Sequence, residues 1–174
     1  MAADAPATTA PAAAAATPSA KVELFNGKDL TGWTSFLKGG TPAAETWSVK
    51  DGLLACTGKP NGFLRTEKSY KQYKFTVEWR FTKPGNTGVV VHMTAPDAIW
   101  PKSIECQGMN KNQGDFYFWS GATSKEGVAM KAKDGTIRGY RIGKQLDAEK
   151  PAGEWNTFTT ICDKDTVTIL VNGK

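Results

Sequence analysis

The side chains able to do chemistry in this 174-residue chain are few and widely spaced. Glu105 and Gln107 alternate with Ile104 and Cys106 in the run SIECQG. Successive side chains of an extended strand face opposite ways, so the apolar pair belongs to a core and Glu105 and Gln107 share the other face. Glu105 is then a candidate base, or an ordinary solvated carboxylate on a strand. His92, the single histidine, ends the run VVVH, where alternation sets it beside Val90 and opposite Val89, Val91 and Met93. Imidazole can exchange a proton near neutral pH or bind a metal; its plainer role is structural, or merely exposed. Arg80 and Glu78 fall on the polar face of KFTVEWRF, where they either line the same surface or pair with one another. Arg80 would bring a fixed positive charge to a developing oxyanion, and Arg65, in GFLRTEKSY, is a second candidate of that kind. Asp115, after Gly114, orients a base, binds a hydroxyl or simply makes a turn. Trp100 follows a loop containing Ala, Pro and Asp. It is either an exposed ring on which the apolar face of a sugar can stack or a loop anchor beneath Pro101.

Several chemistries are excluded. A single His and three Cys without CxxC spacing do not make a zinc site, so no metal or other cofactor is expected. Cys56, Cys106 and Cys162 each sit in an apolar or β-type run and are read as small buried thiols, one disulfide being the alternative. The net charge of +5 is spread along the chain, and even the region from Arg65 to Lys74 is broken by acidic and neutral residues. Nucleic-acid binding needs a basic stripe or a recognisable module, and neither is present. No apolar stretch is long enough to span a bilayer.

The elements that must position these residues are strands. TWSVKDGLLAC reads as a hairpin about Asp51-Gly52, and KFTVEWRF sets Phe75, Val77, Trp79 and Phe81 on one face against Lys74, Thr76, Glu78 and Arg80. TGVVVHM reads as a strand buried on both faces or nearly so, and GDFYFWSG as a further strand. NTFTTICDKDTVTILVNGK is a hairpin about Asp163-Lys164-Asp165 that ends at an Asn172-Gly173 turn signal. Trp33, Trp47, Trp79 and Trp155 are assigned to the core, and GNTG (Gly85 to Gly88) to a tight turn. Many short strands at this spacing, with no long amphipathic helix, predict an all-β fold, a two-sheet antiparallel jelly-roll sandwich. Residues 1–20, rich in Ala, Pro and Thr, read as a flexible linker left by a removed export signal; the expected location is therefore periplasmic or extracellular. The folded domain is expected over residues 21–174. Because Asn172-Gly173 announces a strand and only Lys174 follows, the chain is read as a fragment with a sheet edge open to self-association.

LFNGKDLTGW resembles the opening motif of the 3-keto-disaccharide hydrolase family. TWSVKDGLLAC, GFLRTEKSYKQYKFTVEWRF, GNTGVVVHM, WPKSIECQG with QGDFY, and PAGEWNTFTTI with LVNGK follow in the family's order. The resemblance implies a concanavalin A-like fold, a carbohydrate substrate and cleavage of glycosides already oxidised at C3. A ketone there acidifies the hydrogen on C2, so the route asks for a base at C2, a positive or hydrogen-bonding group at the C3 oxygen and a proton source for the leaving group. The resemblance favours Glu105 and His92, the family commonly placing a basic side chain where His92 stands, and with Arg80 from the polar face of KFTVEWRF these are the expected catalytic residues. Gln107, Trp100, Arg65 and Asp115 are the expected substrate contacts. The alternatives are a non-catalytic carbohydrate-binding module, since one fold serves both roles, and a purely structural surface domain.

Overall fold

Short β-type runs separated by turn residues become twelve strands in the computed structural model, which describes residues 21–174. They are β1 (Trp33–Leu37), β2 (Trp47–Lys50), β3 (Leu53–Cys56), β4 (Gly62–Thr66), β5 (Tyr73–Trp79), β6 (Gly88–Val91), β7 (Ser103–Gln107), β8 (Phe116–Trp119), β9 (Val128–Lys131), β10 (Ile137–Ile142), β11 (Asn156–Asp163) and β12 (Thr166–Val171). Two three-residue 3-10 turns, Lys38–Gly40 and Ala43–Glu45, are the helical structure among the described residues. The expected linker lies outside the described residues.

The chain forms an antiparallel β-sandwich. A five-stranded sheet of order β6-β7-β8-β10-β9 faces a three-stranded sheet of order β12-β11-β5. Between them lie Val91, Cys106, Phe158, Cys162 and Val171, with Val77, Trp79, Val89, Ile104 and Phe116 packed around. Alternation made this core: in β5 every second residue from Tyr73 to Trp79 is half-buried and the intervening ones are exposed. The fold differs from a bare two-sheet sandwich by two further ribbons, β1-β4 and β2-β3. The β2-β3 ribbon is the expected hairpin, with Asp51 and Gly52 at φ 52° and 75°, the left-handed pair of a type I′ turn. The β1-β4 ribbon joins segments far apart in sequence, with Phe36 stacked on Phe63 at 5.6 Å; no local pattern announces such a pairing.

Three burial expectations are corrected. Trp155 is 40% exposed and lies under the Arg80 guanidinium instead of in the core. Cys56 is exposed, while Cys106 and Cys162 are buried, and all three thiols are free. β6 is not buried on both faces, because Val90 belongs to the open face of the five-stranded sheet. At the other end of the sandwich β12 is an edge strand. There Asn172 and Gly173 take φ of 52° and 79°, and Val171 and Lys174 exchange both backbone hydrogen bonds at 2.9 and 3.1 Å.

Candidate active site

The five-stranded sheet turns Cys106, Val89 and Val91 to the core, and the residues between them must face the other way. The registers then line up one cross-strand row on that outer face: Val90, Glu105, Tyr117, Arg141 and Val128. A neighbouring row carries Ser103, Trp119 and Gly139. Glu105 and Arg141 flank Tyr117, two strand spacings or about 10 Å apart at their backbones.

Glu105 is the buried acid of this face, 6% exposed. The Trp119 indole N–H donates to Oε2 at 2.7 Å. Oε1 receives no donor from the described residues and leans over Gly88, where an added Cβ would stand 2.7 Å from it. Burial pushes the Glu105 carboxyl above its usual range, and the Trp119 hydrogen bond opposes that shift. The indole is held by its neighbours: Tyr117 stacks on it at 5.7 Å and 9°, and Trp100 leans against it at 5.2 Å and 41°. With one face of Tyr117 against Trp119, the Arg141 guanidinium, 5.8 Å from the ring centre, takes the other. Burial raises the Tyr117 hydroxyl, so it stays neutral and can donate.

Asp115 anchors the arginine. It is fully buried, and its Oδ2 accepts from Arg141 Nε and Nη2 at 3.0 and 2.7 Å, while Oδ1 accepts the Lys144 backbone N–H at 2.8 Å. Trp100 is 51% exposed, at the end of a loop fastened by Thr94 to Lys102, Ser103 to Pro101 and Ser120 to Trp100 hydrogen bonds.

Of the residues singled out from the sequence, Glu105, Asp115 and Trp100 gather on this face, and Gln107 joins them with its amide engaged. Its Oε1 accepts the Met109 N–H at 2.8 Å, which closes a turn. His92 lies just past β6 with φ 51°, a left-handed residue that ends the alternation, and no hydrogen bond connects it to Glu105. Its expected place beside Val90 therefore does not follow. Arg80 follows β5 in the three-stranded sheet, on the side away from the core, so the sandwich separates it from Glu105. Arg65 is bound to Asp97 at 2.9 Å and ties β4 to the Trp100 loop. Sequence reasoning missed Tyr117, Trp119 and Arg141. The alternation in FYFW and IRGYRI carries the signal for their faces, but not for which strands are neighbours.

The family profile described as the 3-keto-alpha-glucoside-1,2-lyase-like domain matches residues 20–174. The chain belongs to this family. A curated relative named 3-keto-disaccharide hydrolase, from Bacteroides thetaiotaomicron, is 26% identical over 170 residues, covering 84% of this chain and 53% of its own length. This chain thus spans about half of that relative. Two crystal structures from Parabacteroides distasonis, both carrying a provisional glycosyl hydrolase name, share the fold. One has TM-score 0.58 at 22% identity, covering 87% of this chain and 67% of its own, and the other 0.55 at 25%, covering 82% and 68%. Among the described residues no group of three or more His, Cys, Asp or Glu is placed to hold a metal ion, and no helix is long and apolar enough to cross a membrane.

Proposed function

We propose that this chain cleaves glycosides whose sugar carries a ketone at C3, on the outer face of the five-stranded sheet, with Glu105 as the base. The observation that carries the reading is the state of that carboxylate: buried, held through Oε2 by Trp119, and free at Oε1. In the proposed route Oε1 takes the C2 proton, and the C–H pair becomes the C2=C3 bond as the carbonyl pair moves to oxygen. Return of the oxygen pair re-forms the C3 carbonyl, and the C2=C3 pair becomes the C1=C2 bond and expels the C1 substituent, which leaves with a proton from Glu105 or the Tyr117 hydroxyl. Water adding across C1=C2 would complete a hydrolysis; stopping short leaves an elimination. The family membership supports the ketone, and the other carboxylate of this face, Asp115, is fully buried with both oxygens engaged by Arg141 and the Lys144 N–H, which argues against ordinary paired-acid glycosidase chemistry.

The test is release of the leaving group from 3-keto and unoxidised forms of the same disaccharides. Glu105→Gln keeps shape and hydrogen bonding but not basicity, and should lower turnover about a hundred- to ten-thousand-fold with little change in binding. Turnover near wild type would remove Glu105 as the base. A protein that binds sugars but releases nothing would instead be a binding module, a reading that the exposed Trp100 favours.

The export expected from residues 1–20 and self-association through the β12 edge complete the proposal. Edge pairing would appear as a concentration-dependent mass in solution.

A further inference from the structure

The reaction just proposed needs a positive group at the C3 oxygen, and the residue the sequence favoured for it, Arg80, stands in the other sheet. Resting on that reading, we propose that Arg141 is this group, that it recognises the C3 carbonyl and holds the oxyanion formed there, and that Asp115 is its positioning residue.

Three observations converge on Arg141. It shares the cross-strand row of Glu105, with Tyr117 between them, so base and cation border the same patch of the open face. It is fastened at its back and open at its front: the Asp115 carboxylate is 1% exposed and the Arg141 side chain 44%. A guanidinium has five N–H donors, and two of them go to Asp115, leaving the Nη1 pair and one on Nη2 without a protein partner among the described residues. The third observation is bracing. Asp115 also accepts the Lys144 backbone N–H, Lys144 Nζ donates to the Lys111 carbonyl, and Glu149 accepts from the Lys111 N–H and the Asn110 amide. The segments before β8 and after β10 are thereby tied together around the ion pair.

The chemistry follows from where charge develops. With the substrate neutral, the positive charge of Arg141 is balanced by Asp115. Transfer of the C2 proton to Glu105 puts a full negative charge on the C3 oxygen, and the unspent N–H groups meet it without rearranging, because Asp115 and the Tyr117 ring already hold the guanidinium plane. No oxidant or reductant is required. A hydroxyl at C3 develops no such charge, so the arginine discriminates in favour of the ketone during reaction more than on binding.

The experiment compares wild type with Arg141→Lys, Arg141→Gln, Arg141→Ala and Asp115→Asn. It follows both leaving-group release from a 3-keto disaccharide and exchange of its C2 hydrogen for deuterium. Arg141→Gln should lose about a hundred- to a thousand-fold in kcat with KM changed only a few-fold. Exchange should slow with it, and added guanidinium should partly rescue Arg141→Ala. Arg141→Lys, which keeps the charge and so protects folding, should recover only part of the rate because it lacks the planar fork. Asp115→Asn should lower kcat and respond less to substitution of Arg141 than wild type does, as expected of a residue acting through the arginine. Turnover of Arg141→Gln within a few-fold of wild type would overturn the assignment while leaving the Glu105 reading intact. Absence of both release and exchange in wild type would instead overturn the Glu105 reading.

Discussion

At the residue scale the Glu105 carboxyl is governed by two opposed influences, burial that raises it and the Trp119 N–H that lowers it. A base must be ionised to act, so the acidic limb of kcat/KM against pH should lie above the ordinary carboxylate range. Trp119→Phe removes the opposing hydrogen bond and should move that limb further up, which a pH-rate profile reads directly. The same shift has a consequence for stability. Because the folded carboxyl binds its proton more tightly than the unfolded one, its contribution is full below the unfolded value and is lost as pH rises through the folded value. Glu105→Gln should therefore melt higher than wild type near neutral pH, and the difference should shrink as pH falls below the carboxylate range. Gly88 offers a separate test. Its φ is not in the left-handed region, but an added methyl would meet Glu105 Oε1 at 2.7 Å and Cγ at 2.9 Å, with the Cys106 carbonyl oxygen at 3.1 Å. Gly88→Ala should lower kcat at least tenfold in the folded fraction and also lower the melting temperature, because Glu105 and the β6-β7 pairing must give way; equal activity would show that the carboxylate does not depend on that space.

At the element scale the two-residue period of a strand made much of the site readable. It set Glu105 and Gln107 opposite Cys106, as the burial of Cys106 and the open row confirm. It failed at His92 because a left-handed residue ends a strand without announcing itself in the pattern. It also hid the joint between β11 and β12. Asn156 Oδ1 accepts from the Lys150 N–H and from the Asn172 amide, and Asn172 Oδ1 accepts the Thr157 N–H. These two Asn residues lie far apart in EWN and LVNG, and only the fold makes them one network. Asn156→Ala would leave buried partners unpaired, so it should destabilise by about 1–3 kcal/mol with catalysis unchanged in the folded fraction. Denaturant unfolding paired with kcat would check both parts.

At the scale of the whole molecule the sandwich is held at Phe158, fully buried between the sheets with Trp79 against it at 4.6 Å. Phe158→Ala should cost about 3–5 kcal/mol through lost burial and the cavity left behind, measured as a fall in the denaturant midpoint. The sequence by itself determined the all-β class, the β2-β3 hairpin, and the polar and apolar faces of β5 and β7. All of these depend on neighbours within a few residues, where strand alternation and turn chemistry act. Only the tertiary structure decided that β8 lies beside β7 and β10 beside β8, which sets Tyr117, Trp119 and Arg141 on the face of Glu105 and leaves Arg80 at the other sheet. The physical reason is that parity tells which face of its own strand a side chain takes, while pairing between distant strands depends on how two sheets bury their apolar faces together. That information belongs to the packed core and not to any one segment.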